Sequence, residues 1–506
     1  MTSTAQSELA RDAEWQRLDP RMLLVHPIRE VLRFLPVIVV VVLGSTAAGG
    51  EQWQLIGVGI PVVLGLMRYL TTSFRISSGR IELRRGLLNR HVLSTPVDRV
   101  RTVDLTSSPI HRLLGLTKVR IGTGTASTSD EDRIDLDGLP VDRARALRAE
   151  LLQTSTADDV AVTDRATDRD VLVFDPAWVR FAPLTGSGVV IGAAALGAGS
   201  QLLQSVGFWD RFDPENVDVP GVPLGVLVPL LVLALLVLVS LLSIGGYVVT
   251  NWGFRLTRLG GARGGGETWH LSRGLFTTRE TTLDDERVAG VNLSEPLGLR
   301  VAGGARLSAI VTGLSRSQQG SSALVPPAPR RIVERVAREV LDAAVPVDAP
   351  LVPHGPLAAR RRWTRALLPA LALAVAALVP VALGAPVWLL VGLLALPVAA
   401  LLARDRTRSL GHALVAGHLV SRSGSVVRRR RILEVDHVIG WNLRATWFQR
   451  RAGLTTLVAT TAGGSQAVPV LDVPEDEALR VAHRALPDLM GQFSDSPANL
   501  DDGCLA

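Results

Sequence analysis

The residues of this sequence that could do chemistry are few and scattered. Nine histidines are present, and the closest pair, His412 and His418, has no carboxylate at the spacing of a zinc-protease motif. Neither an H-E-x-x-H pattern nor a G-x-S-x-G nucleophile elbow occurs. The single cysteine, Cys504, excludes an intrachain disulfide, a cysteine-based zinc site and an iron–sulfur cluster. The sequence therefore predicts no enzyme, no catalytic residue, no cofactor and no metal site.

Two further motifs are explained better by structure than by chemistry. The glycine-rich stretch 260–266 lacks the Lys-Ser/Thr of a phosphate-binding loop, and it is predicted to be a hairpin tip. The acidic run 284–286 could hold a cation. Related positions elsewhere in the chain have only Asp98 or Asp436, however, which favours a solvated turn.

Positive charge is the chemical feature that remains. The chain has 54 Lys+Arg against 47 Asp+Glu, a net charge of +7. Anionic headgroups attract arginines near a membrane surface by about 1 kcal/mol each. Side chains alternate between the two faces of a strand, so consecutive arginines cannot all meet one ligand, and a charged edge that resists strand pairing is the alternative. The candidate lipid contacts are Arg84, Arg85, Arg90, Arg428, Arg429, Arg430 and Arg431.

Three apolar regions of membrane-scale length would position this basic surface. They pair 34–50 with 52–67, 182–209 with 219–254, and the two halves of 366–403. About 20 apolar residues cross the hydrocarbon core, with about 17 at the low end. The sequence thus predicts six transmembrane helices in three hairpins. Arginines flank each hairpin and the hairpin loops are short or acidic, which predicts termini and polar segments on the cytoplasmic side.

A polar, strand-rich segment follows each hairpin, and the three segments align as an internal repeat. Alternating apolar and polar residues, as in 80–84 and 118–122, predict several strands, and an amphipathic helix with a proline in its first turn closes each repeat. In this alignment the middle repeat is five residues shorter just before Gly298. The aligned scaffold residues are Gly86, Gly274 and Gly424, then Arg99, Arg287 and His437 after 13 residues, then Gly115, Gly298 and Gly453.

These motifs resemble the bacterial pleckstrin-homology-like (PH-like, bPH2) domain, and the three-repeat arrangement resembles the YdbT-like group of membrane proteins. The resemblance covers about residues 20–490 and implies a PH-like fold with no established chemistry. The chain departs from the family pattern in the second repeat, which lacks an insertion, and in the third, where His437 replaces arginine. The predicted fold class is an α+β membrane protein with six transmembrane helices in three hairpins, each followed by a cytoplasmic PH-like β-sandwich or barrel with a C-terminal helix.

The predicted segments alternate between membrane hairpins and cytoplasmic parts. They are a cytoplasmic N-terminal segment (1–33), hairpin 1 (34–70), PH-like domain 1 (71–153), a linker (154–180), hairpin 2 (181–250), PH-like domain 2 (251–344), a linker (345–364), hairpin 3 (365–403), PH-like domain 3 (404–490) and a disordered tail (491–506).

These features predict a non-catalytic integral membrane scaffold that presents three PH-like domains to a protein partner, with an anionic-lipid contact left open. The location is the inner or plasma membrane of the cell, multi-pass. Predicted partners are membrane lipids and a protein, for which another PH-like membrane protein is one candidate; self-association is left open. Nucleic acid is not predicted, because the arginines lack interleaved aromatic residues. The alternative is a transporter or lipid-handling protein with the six-helix bundle as its pathway, but the spans carry no ionisable residue.

Overall fold

The structure is a computed structural model of the chain, and it divides into two compact units, Met1–Asp285 and Glu286–Ala506. The predicted PH-like domain 2 (251–344) spans the boundary between these units. The residues described are 15–23, 25, 71–77, 79–85, 91–96, 102–122, 134–153, 169–185, 197, 200, 201, 204, 207, 224–260, 267–312, 322–384 and 386–487.

One order of elements occurs three times: three strands, a fourth strand with a short helix after it, two more strands and a longer helix. The strands are β1 Gln16–Arg17, β2 Ser73–Ser77, β3 Arg80–Arg85, β4 His91–Pro96, β5 Thr102–Ser107, β6 Leu116–Gly122, β7 Ile134–Pro140, β8 Arg169–Val173, β9 Arg255–Leu259, β10 Thr268–Arg273, β11 Thr278–Asp284, β12 Val288–Pro296, β13 Gly304–Val311, β14 Ala323–Pro329, β15 Gly411–Val415, β16 His418–Ser423, β17 Val427–Glu434, β18 Gly440–Arg444, β19 Leu454–Thr460 and β20 Ala467–Pro474.

The helices are α1 Pro109–Leu113, α2 Val141–Gln153, α3 Leu224–Asn251, α4 Leu297–Val301, α5 Arg330–Val340, α6 Val345–Asp348, α7 Gly355–Ala382, α8 Ala395–Arg408, α9 Trp447–Arg450 and α10 Glu475–Ala485. Among the described residues, the 3₁₀ segments are Pro176–Thr185, Asp285–Arg287, Val387–Leu394 and Val435–His437. We call β2 to α2 repeat 1, β9 to α5 repeat 2, and β15 to α10 repeat 3.

The described strands of the first unit form two antiparallel sheets. Their strand orders are β1-β2-β3-β4 and β7-β6-β5-β11-β10-β9-β8. Alternation along β3 places Ile81 and Leu83 on one face, where they are buried with Val119 of β6, Leu136 of β7 and Leu147 of α2. The core of repeat 1 therefore lies between its first three strands, its last three strands and its closing helix.

Within the part of the second unit that the structure describes, the strands also form two antiparallel sheets. Their orders are β14-β13-β12-β17-β16-β15 and β18-β19-β20. Ala478, Val481 and Ala482 lie on one face of helix α10. They are buried in a core that includes Leu433 of β17 and Leu457 of β19. Repeat 3 is thus built like repeat 1.

A left-handed glycine after each short helix shows how the repeats align. Gly115, Gly303 and Gly453 have φ of 70°, 72° and 61°, and the first N–H of each longer helix donates to the carbonyl of that glycine. The sequence alignment with Gly298 is wrong, because Gly298 lies inside α4. With Gly303 in its place, repeat 2 has the same spacing as the others, and the inferred five-residue deletion disappears.

The prediction of six transmembrane helices in three hairpins is wrong. Among the described residues two helices are long and apolar enough to cross a membrane, Val232–Asn251 and Gly355–Ala382, with mean hydropathies of 2.6 and 2.0. The second half of hairpin 3 starts as the 3₁₀ segment after Pro386, and α8 has only 14 residues. Hairpin 1 (34–70) and most of the first half of hairpin 2 lie outside the described residues. What the structure describes is mostly sheet with a few helices, consistent with PH-like β-sandwich domains.

Candidate functional site

The polar ends of α7 and α8 meet beside the strands of repeat 3. The two helices pack through buried alanines, Ala366 and Ala370 of α7 against Ala399 and Ala403 of α8. Small side chains let the helix backbones approach closely. This packing brings the arginine-rich start of α7 next to the arginine-rich end of α8.

A cavity of about 240 Å³ lies at this junction, and we call it the arginine pocket. Four arginines line it: Arg362 of α7, Arg406 of α8, and Arg429 and Arg431 of β17. The turn between β16 and β17 forms part of its wall, together with apolar side chains of β20. The pocket therefore combines four guanidinium groups with an apolar rim.

Alternation along β17 divides its four arginines into two pairs. Arg428 and Arg430 are held by the protein: Arg428 Nη2 is 2.9 Å from Asp405 Oδ1, and Arg430 Nη2 donates to two backbone carbonyls near α6. Arg429 and Arg431 line the pocket, and no acidic side chain of the described residues lies within ion-pair distance of either. Two of the four arginines are thus left to meet a ligand.

Positive charge accumulates around Arg429 and Arg431, and no acidic side chain in the described part of the chain balances it. Burial and then the neighbouring Arg429 guanidinium lower the pKa of Arg431. The same two causes lower the pKa of Arg306, which faces Arg429 across Ser294 of β12. A bound anion would offset this repulsion and replace part of the lost hydration.

Asp472 anchors the start of α7 to repeat 3. Its side chain is only 2% exposed, and its oxygens lie 3.3 Å from Arg361 Nη1 and 2.5 Å from Arg362 Nη2. Gln449 Nε2 donates to the same carboxylate over 2.8 Å. The ion pair fixes Arg362 at the edge of the pocket and partly neutralises it.

The remaining candidate arginines lie elsewhere. Arg84 stacks in the first unit, with its guanidinium carbon 4.8 Å from the ring centre of Trp15. The side chain of Arg85 and the whole of Arg90 lie outside the described residues, as do Gly86 and Arg99.

The other scaffold residues lie at turns. Gly274 and Gly424 have φ of 113° and 105°, and a Cβ at either would come within 2.0–2.1 Å of a carbonyl oxygen in the same turn. Arg287 and His437 each end a 3₁₀ segment. His437 Nδ1 lies 3.1 Å from Glu434. In the acidic run 284–286, Asp285 accepts a hydrogen bond from Trp269 Nε1 over 2.6 Å.

A buried pair of histidines lies beside the pocket, and the sequence pattern did not predict it. His354 Nδ1 is 2.8 Å from the Leu471 carbonyl, and its Nε2 is 3.0 Å from His412 Nδ1; His412 Nε2 faces Glu477 over 3.4 Å. Burial, chiefly, lowers the pKa of His354 to about 4. These residues are too far apart in the chain for spacing to reveal them. No group of three or more His, Cys, Asp or Glu side chains in the described part is arranged to hold a metal ion.

Comparison with known proteins agrees with this fold. No curated protein and no solved structure matches the chain. Residues 29–155 and 366–485 match the family model described as bacterial PH domain. The first region contains repeat 1, and the second contains α8 and repeat 3 with most of the pocket lining. Two regions of the chain therefore match the bacterial PH domain model, and the second of these regions holds most of the arginine pocket.

Proposed function

We propose that this protein is a non-catalytic, membrane-attached binding scaffold of the YdbT-like kind, and that its arginine pocket holds the anionic headgroup of a lipid. One observation carries the proposal. Four arginines surround a cavity at the polar end of α7, which is one of the two helices in the described part of the chain that are long and apolar enough to cross a membrane.

The chemistry of the pocket suits a phosphate-containing headgroup. Guanidinium groups donate several parallel hydrogen bonds to phosphate oxygens, and they stay charged even where burial lowers their pKa. A cavity of about 240 Å³ has room for a headgroup, while the apolar rim at Leu410 and Leu471 suits the first carbons beyond it. Arg429 and Arg431 of β17, which have no acidic partner among the residues that the structure describes, would supply the main contacts.

The position of the pocket supports a cytoplasmic orientation. Arginines 360–362 precede the apolar part of α7, and Arg404, Arg406 and Arg408 close α8. Arginine-rich flanks remain on the cytoplasmic side, where the leaflet carries anionic lipids. In this arrangement the PH-like domains lie at the inner membrane surface, and several weak contacts on one tethered chain act together on a protein partner.

Binding of phosphatidylglycerol to the full chain in detergent, measured against phosphatidylcholine, tests the headgroup site. Arg429→Gln combined with Arg431→Gln removes two contacts of about 1 kcal/mol each, so affinity for phosphatidylglycerol should fall roughly 30-fold. Arg480→Gln with Arg484→Gln on α10 is the matched control, since it removes the same charge outside the pocket and should leave affinity unchanged. Equal losses in both variants, or equal binding of the two lipids by the native chain, would refute the pocket as the site.

A further inference from the structure

Strands of different repeats pair with one another at two places. In the first unit β5 of repeat 1 pairs antiparallel with β11 of repeat 2, and in the second unit β12 of repeat 2 pairs antiparallel with β17 of repeat 3. In both cases the fourth strand of one repeat joins the third strand of the next. Each junction merges two half-domains into one sheet.

The register of the two junctions is identical. Val103 faces Thr282 in the first, and Val291 faces Ile432 in the second. Val103 and Val291 occupy equivalent positions, 17 residues after the turn glycine of their repeats, and Thr282 and Ile432 are each eight residues after theirs. The junction is therefore a repeated interface with a fixed alignment.

A side-chain contact accompanies each junction at equivalent positions. Arg112 Nη1, at the end of α1, donates to the carbonyl of Leu275 over 3.1 Å, and Arg300 Nη1, in α4, donates to the carbonyl of Ser425 over 3.3 Å. Both acceptors directly follow the turn glycine of the next repeat. Repeat 3 has an arginine at the same position, Arg450. Its exposed guanidinium makes no hydrogen bond or ion pair within the described residues.

Two strands of the kind that form these junctions have no partner from another repeat among the described residues, one in the first repeat and one in the last. β18 is the fourth strand of repeat 3 and β4 is the third strand of repeat 1. Where the structure describes the chain, β18 pairs with β19 alone and β4 with β3 alone. Leu443 of β18 is 44% exposed and Val92 of β4 is 52% exposed, whereas the equivalent strand β12 is almost wholly buried.

The glycine that permits the second junction is also present in β18. A Cβ at Gly290 of β12 would lie 2.0 Å from the carbonyl oxygen of Ile432 across the junction, so the strands approach closely only because this residue is glycine. The equivalent residue of β18 is Gly440, and around it a Cβ would meet nothing within 4 Å. Gly440 would therefore allow another strand to approach β18 as closely as β17 approaches β12, but no strand of the described chain lies there.

The other outer strands are protected against pairing. β14 contains three prolines, β20 contains two, β7 and β8 carry charged residues, β1 has two residues, and β15 is bridged to Val352. Prolines and charged residues on an edge strand prevent it from pairing with a further strand. β18 contains no proline and its one charged residue, Arg444, is its last, while the single proline of β4, Pro96, falls beyond the stretch that this register would pair.

We infer that β18 of one molecule pairs antiparallel with β4 of a second molecule, in the register of the internal junctions. Trp441 then faces Ser94, and Leu443 faces Val92. The joined sheet has the order β20-β19-β18-β4-β3-β2-β1, seven strands that match the seven-stranded sheet of the first unit element for element. The interface is head-to-tail, so assembly continues into a ring or a filament.

Crosslinking between two differently tagged full-length chains in detergent tests the pairing, with Cys504→Ser in both. One chain carries Val92→Cys and the other Leu443→Cys. Residues directly opposite in antiparallel strands have Cα atoms about 4.5–5.5 Å apart, which suits a disulfide. A mixed-tag disulfide dimer is expected. Asn442→Cys in place of Leu443→Cys points to the other face of the strand and should give at least tenfold less dimer; equal yields from both pairs would overturn the inferred register.

Sedimentation of the native full chain provides the second measurement. The protein mass in the complex should be at least twice 54.0 kDa, and Leu443→Lys should reduce it to one chain. Leu479→Lys is the matched control, because Leu479 is 43% exposed and belongs to α10 rather than to β18, and this variant should assemble like the native chain. Arg450→Gln should weaken assembly several-fold. A native chain that sediments as one copy at micromolar concentration, or a Leu443→Lys variant that assembles normally, would overturn the inference.

Discussion

Lowering the pH from 7 to 4.5 should destabilise the second unit through the buried side chain of His354, which is 4% exposed. Neutral His354 donates its Nδ1–H to the Leu471 carbonyl over 2.8 Å. Its Nε2 is then an acceptor, and it receives the Nδ1–H of His412 over 3.0 Å. Both ring nitrogens are satisfied in the neutral form, so a second proton would break the bond between the two rings.

The size of the effect follows from the pKa of His354. Burial, and next the neighbouring His412, lowers this pKa from 6.5 to about 4, while Asp472 acts in the opposite direction and Arg362 in the same one. The folded chain binds the proton more weakly than the unfolded chain. The resulting stability is fully present above pH 6.5 and is lost as the pH falls towards 4. At 1.36 kcal/mol per pKa unit the full loss is about 3 kcal/mol, most of it reached by pH 4.5.

Hydrogen exchange of β15 and β20 in the full chain, corrected for the intrinsic pH dependence of exchange, measures this loss of protection. His354→Gln retains a donor for the Leu471 carbonyl and an acceptor for His412 but cannot titrate, so the loss between pH 7 and 4.5 should shrink by about 2.5 kcal/mol. His418→Gln on β16 is the control and should keep the native pH dependence. If His354→Gln loses protection as the native chain does, the pH dependence comes from other groups and the reasoning fails.

Three further substitutions test the geometry of the second unit. Gly424→Ala should cost at least about 2 kcal/mol of unfolding free energy, because its Cβ would collide with a backbone carbonyl 2.1 Å away; Gly417→Ala, with φ of 71° and open space, should cost only about 1 kcal/mol in the same thermal denaturation. Asp472→Asn removes the buried charge that pairs with the half-buried Arg361 and Arg362 and should cost about 3 kcal/mol, seen as faster hydrogen exchange in β20; unchanged exchange would contradict the anchor. Ala370→Leu should overpack α7 against α8 at a cost of about 1–3 kcal/mol, and a spin-label distance between the helices that did not increase would contradict the packing.

Local pattern predicted the strands well and the helices of the apolar regions poorly. The alternation of 80–84 and 118–122 corresponds to β3 and β6, because each strand has one buried face and one exposed face. Hydropathy measures how apolar a stretch is but cannot distinguish an α-helix from a 3₁₀ segment such as Val387–Leu394. The apolar stretch 366–403 was therefore predicted to form two complete transmembrane helices. Gly298 was chosen over Gly303 because a three-residue motif cannot show which glycine has positive φ.

The candidate site was partly predictable for a similar reason. Strand alternation alone predicts that Arg428–Arg431 divide into two pairs, and the structure places them on two faces of β17. Which pair remains available depends on Asp405 and on backbone carbonyls near α6, and these partners come from distant parts of the chain. The meeting of His354, His412 and Glu477 is likewise a tertiary contact, which a single sequence does not encode in its spacing.

The unit boundary at 285/286 also has a physical cause that spacing cannot reveal. The junction between β5 and β11 holds the first half of repeat 2 in the first unit, and the junction between β12 and β17 holds its second half in the second unit. Repeats in sequence and compact units in space therefore do not coincide. Cutting the chain at the predicted start of domain 3, residue 404, would strip β12 from β17 and expose an inner strand with four arginines. Pairing between strands of successive repeats is the reason that such a cut would disrupt a sheet. The same pairing leaves β18 and β4 as the two matching strands at the ends of the series. The division into two units and the inferred head-to-tail assembly therefore have one origin.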